Sequence, residues 1–96
     1  MKKNKEINKP LKIEFGVTGS NENENLKLVL YNDDINTFDY VMSCLIEVCD
    51  HNIIQAEQCA MITHYKGKCD IKKGSYSKLQ VMKEQLIEKG LRVSIE

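Results

Sequence analysis

The sequence predicts an α+β domain in which three helices pack on one face of a small three-stranded antiparallel sheet. Residues 26–31 alternate in polarity with the period of a strand. Three later segments repeat apolar residues at spacings of three and four, as amphipathic helices do. A chain of 96 residues holds one domain at most. The expected order is strand, two helices, short strand, helix and strand.

The first strand is expected over residues 26–31, where leucine occupies every even position, a pattern that suits a sheet with one buried face. It ends at Asn32, and Asn36 or Thr37 then offers a side-chain oxygen to cap a helix. Residues 50–52 interrupt that helix. Its inward apolar residues are predicted to be Phe38, Val41, Met42, Leu45, Val48 and Cys49.

The second helix is predicted from Asn52, since Gln55 stands three residues later as in a capping box. It is expected to run to about Tyr65, and Gly67 closes it in the left-handed conformation that glycine adopts readily. Residues 68–71 then predict a short strand, and the Lys-Lys-Gly that follows predicts a turn.

The third helix is expected to begin at Ser75 or Ser77, of which the latter has Gln80 at capping-box distance. Gly90 stops this helix, and residues 91–95 alternate as a last strand. The residues predicted to face inward are Leu79, Met82, Leu86 and Ile87.

The chain is expected to divide into a mobile N-terminal tail over residues 1–25 and a folded domain over residues 26–96. The tail is rich in lysine and asparagine and has little to bury. Apolar residues do alternate over 11–17, which leaves open a short strand or a segment that becomes ordered on a partner.

Lysine and arginine balance the acids to a net charge of zero, so nothing favours nucleic acid or an anionic membrane as partner. No apolar run approaches the roughly 18 residues of a membrane span. The lysine-rich start lacks the apolar core of a secretory signal. We therefore expect a cytoplasmic protein, with neither nucleic acid nor a membrane as partner.

Four cysteines, Cys44, Cys49, Cys59 and Cys69, lie in apolar patterns that read as helical, and none form a C-x-x-C pair. They are expected to be buried free thiols, since a cytosolic chain is kept reduced. A metal site built on Cys59 and His64 is disfavoured, because a spacing of five places the two on different faces of a helix.

Catalysis is not expected, because the common motifs of hydrolases, nucleotide-binding enzymes and metalloproteases are missing. A nucleophilic Cys49 or Cys59 activated by His51 or His64 is the remaining enzymatic alternative.

A binding site is favoured by Asn32, Asp33 and His64, which offer hydrogen-bond acceptors without a cationic partner. Such a set suits a positively charged ligand with several N–H donors, and a primary ammonium is one. From these residues alone, an Asx turn that starts a helix, together with a solvated histidine, stays open as the alternative.

The Val-Leu-Tyr-Asn-Asp-Asp run at 29–34, followed by Phe38 to Val41 and by His-Tyr-Lys-Gly-Lys at 64–68, resembles the ClpS family. ClpS proteins are adaptors of the Clp AAA+ protease, and the resemblance covers roughly residues 26–96. It implies a monomeric, non-enzymatic adaptor without cofactor or metal. Such an adaptor binds the N-terminal residue of a substrate and delivers it to the N-terminal domain of a ClpA- or ClpC-type unfoldase, which engages the adaptor's mobile tail.

The resemblance also implies the roles of individual residues. Asn32, Asp33 and His64 would hold the substrate's α-ammonium, whereas Asp34 and Asn36 would meet the substrate backbone or order the turn. A hydrophobic pocket would take a large first side chain such as Leu, Phe, Tyr or Trp. By position, its walls are Phe38, Val41, Ala60, Thr63 and Leu91.

Several of these positions depart from the common family pattern. Asn36 and Thr37 replace a usual Thr-Pro pair, and Phe38 stands where a methionine commonly gates the pocket. Ala60 and Thr63 replace larger or less polar residues, which would open or polarise the floor. The ranking of first residues is therefore left open. A second reading keeps the fold without amine recognition, as an interaction domain like that of the ribosomal stalk.

Overall fold

Three helices and three strands follow one another in the predicted order within residues 25–96, the part of the chain that the computed structural model describes. The predicted tail over 1–25 and the alternating segment at 11–17 fall outside these residues, apart from residue 25. The elements are β1 (Leu26–Tyr31), α1 (Phe38–Cys49), α2 (Ile53–Lys66), β2 (Lys68–Gly74), α3 (Tyr76–Glu88) and β3 (Arg92–Ile95).

The sheet has β1 at its centre, with β2 and β3 paired to it antiparallel on either side. The predicted fold class is therefore confirmed. β2 extends to Gly74, beyond the predicted 68–71, because the Lys-Lys-Gly segment pairs with the start of β1 instead of turning. Lysines suit such an edge strand, since they discourage further strand pairing. A register shift interrupts this ladder between Leu28 and Val29.

The core lies between the sheet and the helices, where Leu28 and Leu30 of β1 meet Leu45 of α1 and Leu79 and Leu86 of α3. These leucines come from separate segments of the chain. Burial of their apolar surface provides the main stabilisation of so small a domain.

Three side chains differ from their predicted burial. Val29 lies outside the core cluster but is only 2% exposed, although it alternates in β1 with the leucines of that cluster. Ile87 is 50% exposed, since it follows Leu86 by one residue and so points about 100° away from the buried stripe of α3. Phe38 is 40% exposed at the first position of α1.

The helix ends follow the local signals in the sequence. Thr37 rather than Asn36 caps α1, and Ser75 rather than Ser77 caps α3. Asn52 and Gln55 form the predicted capping box of α2. Gly67 ends α2 with a φ of 93°, in the left-handed region where a side chain would be strained. No helix within residues 25–96 is long and apolar enough to cross a membrane.

The connection between α1 and α2 is held against β2. His51 is buried there, and its Nε2 donates to the carbonyl oxygen of Ile71 over 2.8 Å. Lys72 Nζ donates to the carbonyl oxygen of Cys49 over 2.9 Å. Because each of these bonds has one partner on β2, the helical pair is fixed relative to the sheet.

We expect Leu45→Ala to lower the free energy of unfolding by about 2–5 kcal/mol, because it leaves a cavity in the core. Ile54→Ala is the matched control, since Ile54 is 67% exposed on α2 and should change stability by about 0.5 kcal/mol or less. Urea denaturation followed by circular dichroism measures both. Equal losses in the two variants would contradict the assigned core.

Candidate functional site

A cavity of about 350 Å³ opens where the end of β1, the start of α1, the second half of α2 and the residue before β3 come together. All ten predicted site residues line it. These are Asn32, Asp33, Asp34, Asn36, Phe38, Val41, Ala60, Thr63, His64 and Leu91. Leu30 and Tyr31 also line the cavity and were not predicted, because the alternation of β1 indicated only which sheet face each occupies.

A backbone hydrogen bond brings the two polar parts of the cavity together. The N–H of Asn32 donates to the carbonyl oxygen of Gly67 over 2.9 Å. This bond fastens the residue after β1 to the turn that ends α2, one helical turn beyond His64. Asn32 and His64 can therefore line one cavity although they are far apart in sequence.

Asp33 orders the turn that follows β1. Its Oδ1 accepts hydrogen bonds from the backbone N–H groups of Ile35 and Asn36, both over 2.9 Å. The Asn36 N–H is the main cause that lowers the pKa of Asp33 below its usual 3.8, and the Ile35 N–H adds to it. The carboxylate therefore stabilises the fold fully above about pH 3.8, and this contribution is lost as the pH falls through the lowered pKa.

From the sequence, Asp34 was expected either to order this turn or to contact the substrate backbone. In the structure Asp33 orders the turn, since the carboxylate of an Asx turn accepts from the second and third residues after it. Asp34 is exposed at the cavity. Its contact with a substrate stays a prediction.

Asn36 links this turn to the opposite side of the cavity. Its Nδ2 donates to Asp33 Oδ2 and to the carbonyl oxygen of Gly90, each over 3.0 Å. A further hydrogen bond joins the same two segments: the Tyr40 hydroxyl donates to the carbonyl oxygen of Lys89 over 2.6 Å. The start of α1 is thus tied to the connection that positions Leu91.

The apolar part of the cavity has a floor and a rim. Leu30, Ala60, Thr63 and Leu91 are buried in the floor, and Phe38 stands half-exposed. The Thr63 hydroxyl donates to the carbonyl oxygen of Cys59 over 2.8 Å. The polar group expected in this floor therefore offers a ligand a hydrogen-bond acceptor and no donor, since the hydroxyl proton is already used within α2.

The side chains of Asn32 and His64 make no hydrogen bond to other residues of the described range 25–96. The His64 ring is exposed and meets the Tyr65 ring edge-on, with centroids 5.0 Å apart. Both side chains can therefore accept from a ligand, and Asp33 adds a negative charge beside them.

The thiols are free; Cys44, Cys49 and Cys69 are buried, and Cys59 is partly so. Cys69 lies in β2 and not in a helix as its pattern indicated. Burial raises the pKa of Cys49 to about 11 and that of Cys69 to about 12, which keeps both as poor nucleophiles. Residues 25–96 contain no cluster of three His, Cys, Asp or Glu side chains that could hold a metal ion.

One of the two imidazoles considered as a base for Cys49 or Cys59 is engaged elsewhere. His51 donates from Nε2 to the Ile71 carbonyl and is buried away from the cavity lining. The arrangement of cavity, acceptors and apolar floor therefore fits binding of a small charged group joined to an apolar one.

Comparison with known proteins gives a family for this architecture. The family model described as "ATP-dependent Clp protease adaptor protein ClpS" matches residues 21–94. The Clp protease adapter protein ClpS of Thermosynechococcus vestitus is 30% identical over 71 residues, which cover 73% of this chain and 76% of the relative.

A solved structure shares the fold. The structure of Agrobacterium tumefaciens ClpS2 bound to L-phenylalaninamide superposes with a TM-score of 0.68 at 21% sequence identity, covering 77% of this chain and 98% of that one. The family match spans nearly all of the described domain, from before β1 into β3. The chain therefore belongs to the ClpS family, the adaptor proteins of the ATP-dependent Clp protease.

Proposed function

We propose that this ClpS family member is an adaptor for N-degron substrates. It binds the free α-ammonium of a substrate's first residue together with that residue's large hydrophobic side chain. The observation that carries the proposal is that the acceptors and the apolar walls line a single cavity of about 350 Å³. A ligand with its charge next to an apolar group, as the first residue of a protein has, matches that arrangement.

The proposed amine site consists of Asn32, Asp33 and His64. A primary ammonium has three N–H donors, and these residues supply three side chains that can accept. The lowered pKa of Asp33 keeps its carboxylate charged, which makes its bond to the ammonium charge-assisted. Such bonds contribute about 1.5–3 kcal/mol each.

The proposed side-chain site is the buried floor formed by Leu30, Ala60 and Leu91, with Val41 and Phe38 nearer the opening. Burying a large apolar side chain there stabilises the complex by about 1.5–3 kcal/mol. The Agrobacterium protein of the same fold is solved with L-phenylalaninamide. A large first residue such as Leu, Phe, Tyr or Trp is the matching ligand here.

The proposed partner in delivery is the N-domain of a ClpA- or ClpC-type unfoldase, and residues 1–25 are proposed as the segment that it engages. The adaptor would act as a cytoplasmic monomer and without a cofactor.

The alternative is an interaction domain of the same fold that does not recognise an amine. Asp33 gives it some support, because its turn contacts provide a structural role without any ligand. Recognition of a free N-terminus separates the two functions, since only an N-degron adaptor requires it.

We expect a Leu-initiated peptide with a free N-terminus to bind, and its acetylated form to bind at least 100-fold more weakly. Acetylation removes the positive charge and two of the three donors, which costs more than one charge-assisted bond. Fluorescence anisotropy with a labelled peptide measures both affinities. Equal affinities would favour the interaction domain over the adaptor.

Asp33→Asn should weaken binding of the free peptide by roughly 10- to 100-fold, because the amide keeps the turn acceptor but loses the charge. Asp39→Asn is the matched control, since Asp39 is exposed on α1 outside the cavity lining, and its affinity should stay within about threefold. Asp33→Ala is less informative, since loss of the turn acceptor would itself cost about 1 kcal/mol. An unchanged affinity of Asp33→Asn would remove Asp33 from the amine site.

Binding should weaken above about pH 8.5, where the peptide's α-amine loses its proton and with it the positive charge. The lowered pKa of Asp33 keeps that carboxylate ionised across the neutral and alkaline range, so the alkaline loss comes from the ligand. Peptide titrations from about pH 7 to 9.5 measure this loss, and His64→Gln, which keeps a side-chain acceptor, should retain it. A flat affinity profile of the unmodified protein over that range would contradict recognition of a charged amine.

A further inference from the structure

The cavity floor contains one hydroxyl, that of Thr63. Ala60, Thr63 and His64 line the cavity from α2 at spacings of three and four, so they share one face of the helix. Thr63 is 5% exposed, and the other floor residues, Leu30 and Leu91, are apolar. A polar atom in this position affects which side chains can fill the cavity.

The hydroxyl can accept a hydrogen bond but has no proton to give. A threonine hydroxyl has one O–H donor, and that of Thr63 donates to the carbonyl oxygen of Cys59 over 2.8 Å. The oxygen keeps its lone pairs as acceptors. A ligand that displaces water from the floor without a donor of its own leaves this acceptor unpaired, and an unpaired buried acceptor is unfavourable.

The four expected first residues differ in whether their side chains carry a hydrogen-bond donor. Leu and Phe side chains have no donor, whereas the Tyr hydroxyl and the Trp indole N–H each have one. Ala60 leaves room beside Thr63, since its side chain is a single methyl group. The half-exposed Phe38 ring can also pack edge-on against an aromatic ligand.

We propose that Thr63 is a specificity-determining residue, whose Oγ1 accepts a hydrogen bond from the ring of the first residue and so favours Tyr and Trp over Phe and Leu. This inference rests on the proposed function. It ranks the affinities for different first residues, which the family match does not do.

The test compares peptides that are identical except for a first residue of Tyr, Trp, Phe or Leu, bound to the full chain in a competition assay. We expect Tyr to bind about fivefold more tightly than Phe, the effect of one neutral hydrogen bond. Thr63→Val keeps the shape of the side chain and removes the acceptor. It should bring the affinities for Tyr and Phe to within twofold of each other, because neither side chain then meets an acceptor.

Two further variants exclude an indirect effect. Thr63→Ser keeps the hydroxyl and should retain the preference for Tyr, which a change in packing alone would not explain. Ser43→Ala removes a hydroxyl that likewise donates to its own helix, to the Tyr40 carbonyl over 2.7 Å, but lies on α1 outside the cavity lining. This control should change none of the four affinities.

The outcomes separate this inference from the proposed function. A Tyr-to-Phe ratio that is the same in the unmodified protein and in Thr63→Val overturns the role of Thr63, even where acetylated peptides fail to bind. Tight binding of the acetylated Tyr peptide overturns the proposed function and the inference with it. A preference for Phe over Tyr in the unmodified protein overturns the inference alone.

Discussion

The hydrogen bond between the Asn32 N–H and the Gly67 carbonyl is the constraint on which the cavity depends. The turn at Gly67 ends α2 and starts β2, whose first residue, Lys68, pairs with Tyr31 at the end of β1. One turn therefore fixes the end of a helix, the register of a strand pair and the place of the polar loop. His64 lines the cavity from the last turn of the same helix. A positive φ makes that stop compatible with glycine and costly for other residues.

One carboxylate on the polar side of the cavity orders the loop and carries the charge that the proposed amine site needs. Asp33 Oδ1 is occupied by the turn, whereas Oδ2 accepts from Asn36. The donors that order the loop also favour the ionised form, so the structural role and the charge support each other. The two interpretations of the Asn-Asp-Asp segment, a turn or a binding site, are therefore compatible. A domain with a thin core benefits from side chains that serve both purposes.

Much of the fold could be predicted because its signals are local. The capping pair Asn52 and Gln55 depends on residues three positions apart, and both were assigned correctly. The length of β2 could not be predicted, because whether Gly74 pairs or turns is decided by β1, a distant segment. Tyr31 was missed at the cavity for a similar reason, since alternation gives the face of a strand and not what meets its end. The pocket residues were assigned to one site from the family resemblance, because periodicity does not show which distant residues meet.

The bridge made by Asn36 bears on how a ligand would be received. Its amide holds the polar loop and the Gly90 carbonyl at fixed separation before any ligand arrives. A binding site that is already ordered loses little conformational entropy when it is filled, so more of the contact energy remains as affinity. On the proposed function, selectivity follows from shape and hydrogen bonding and not from adaptation of the protein. Such rigidity suits the proposed receptor, which has to tell one terminal residue from another while the rest of the bound chain remains unconstrained.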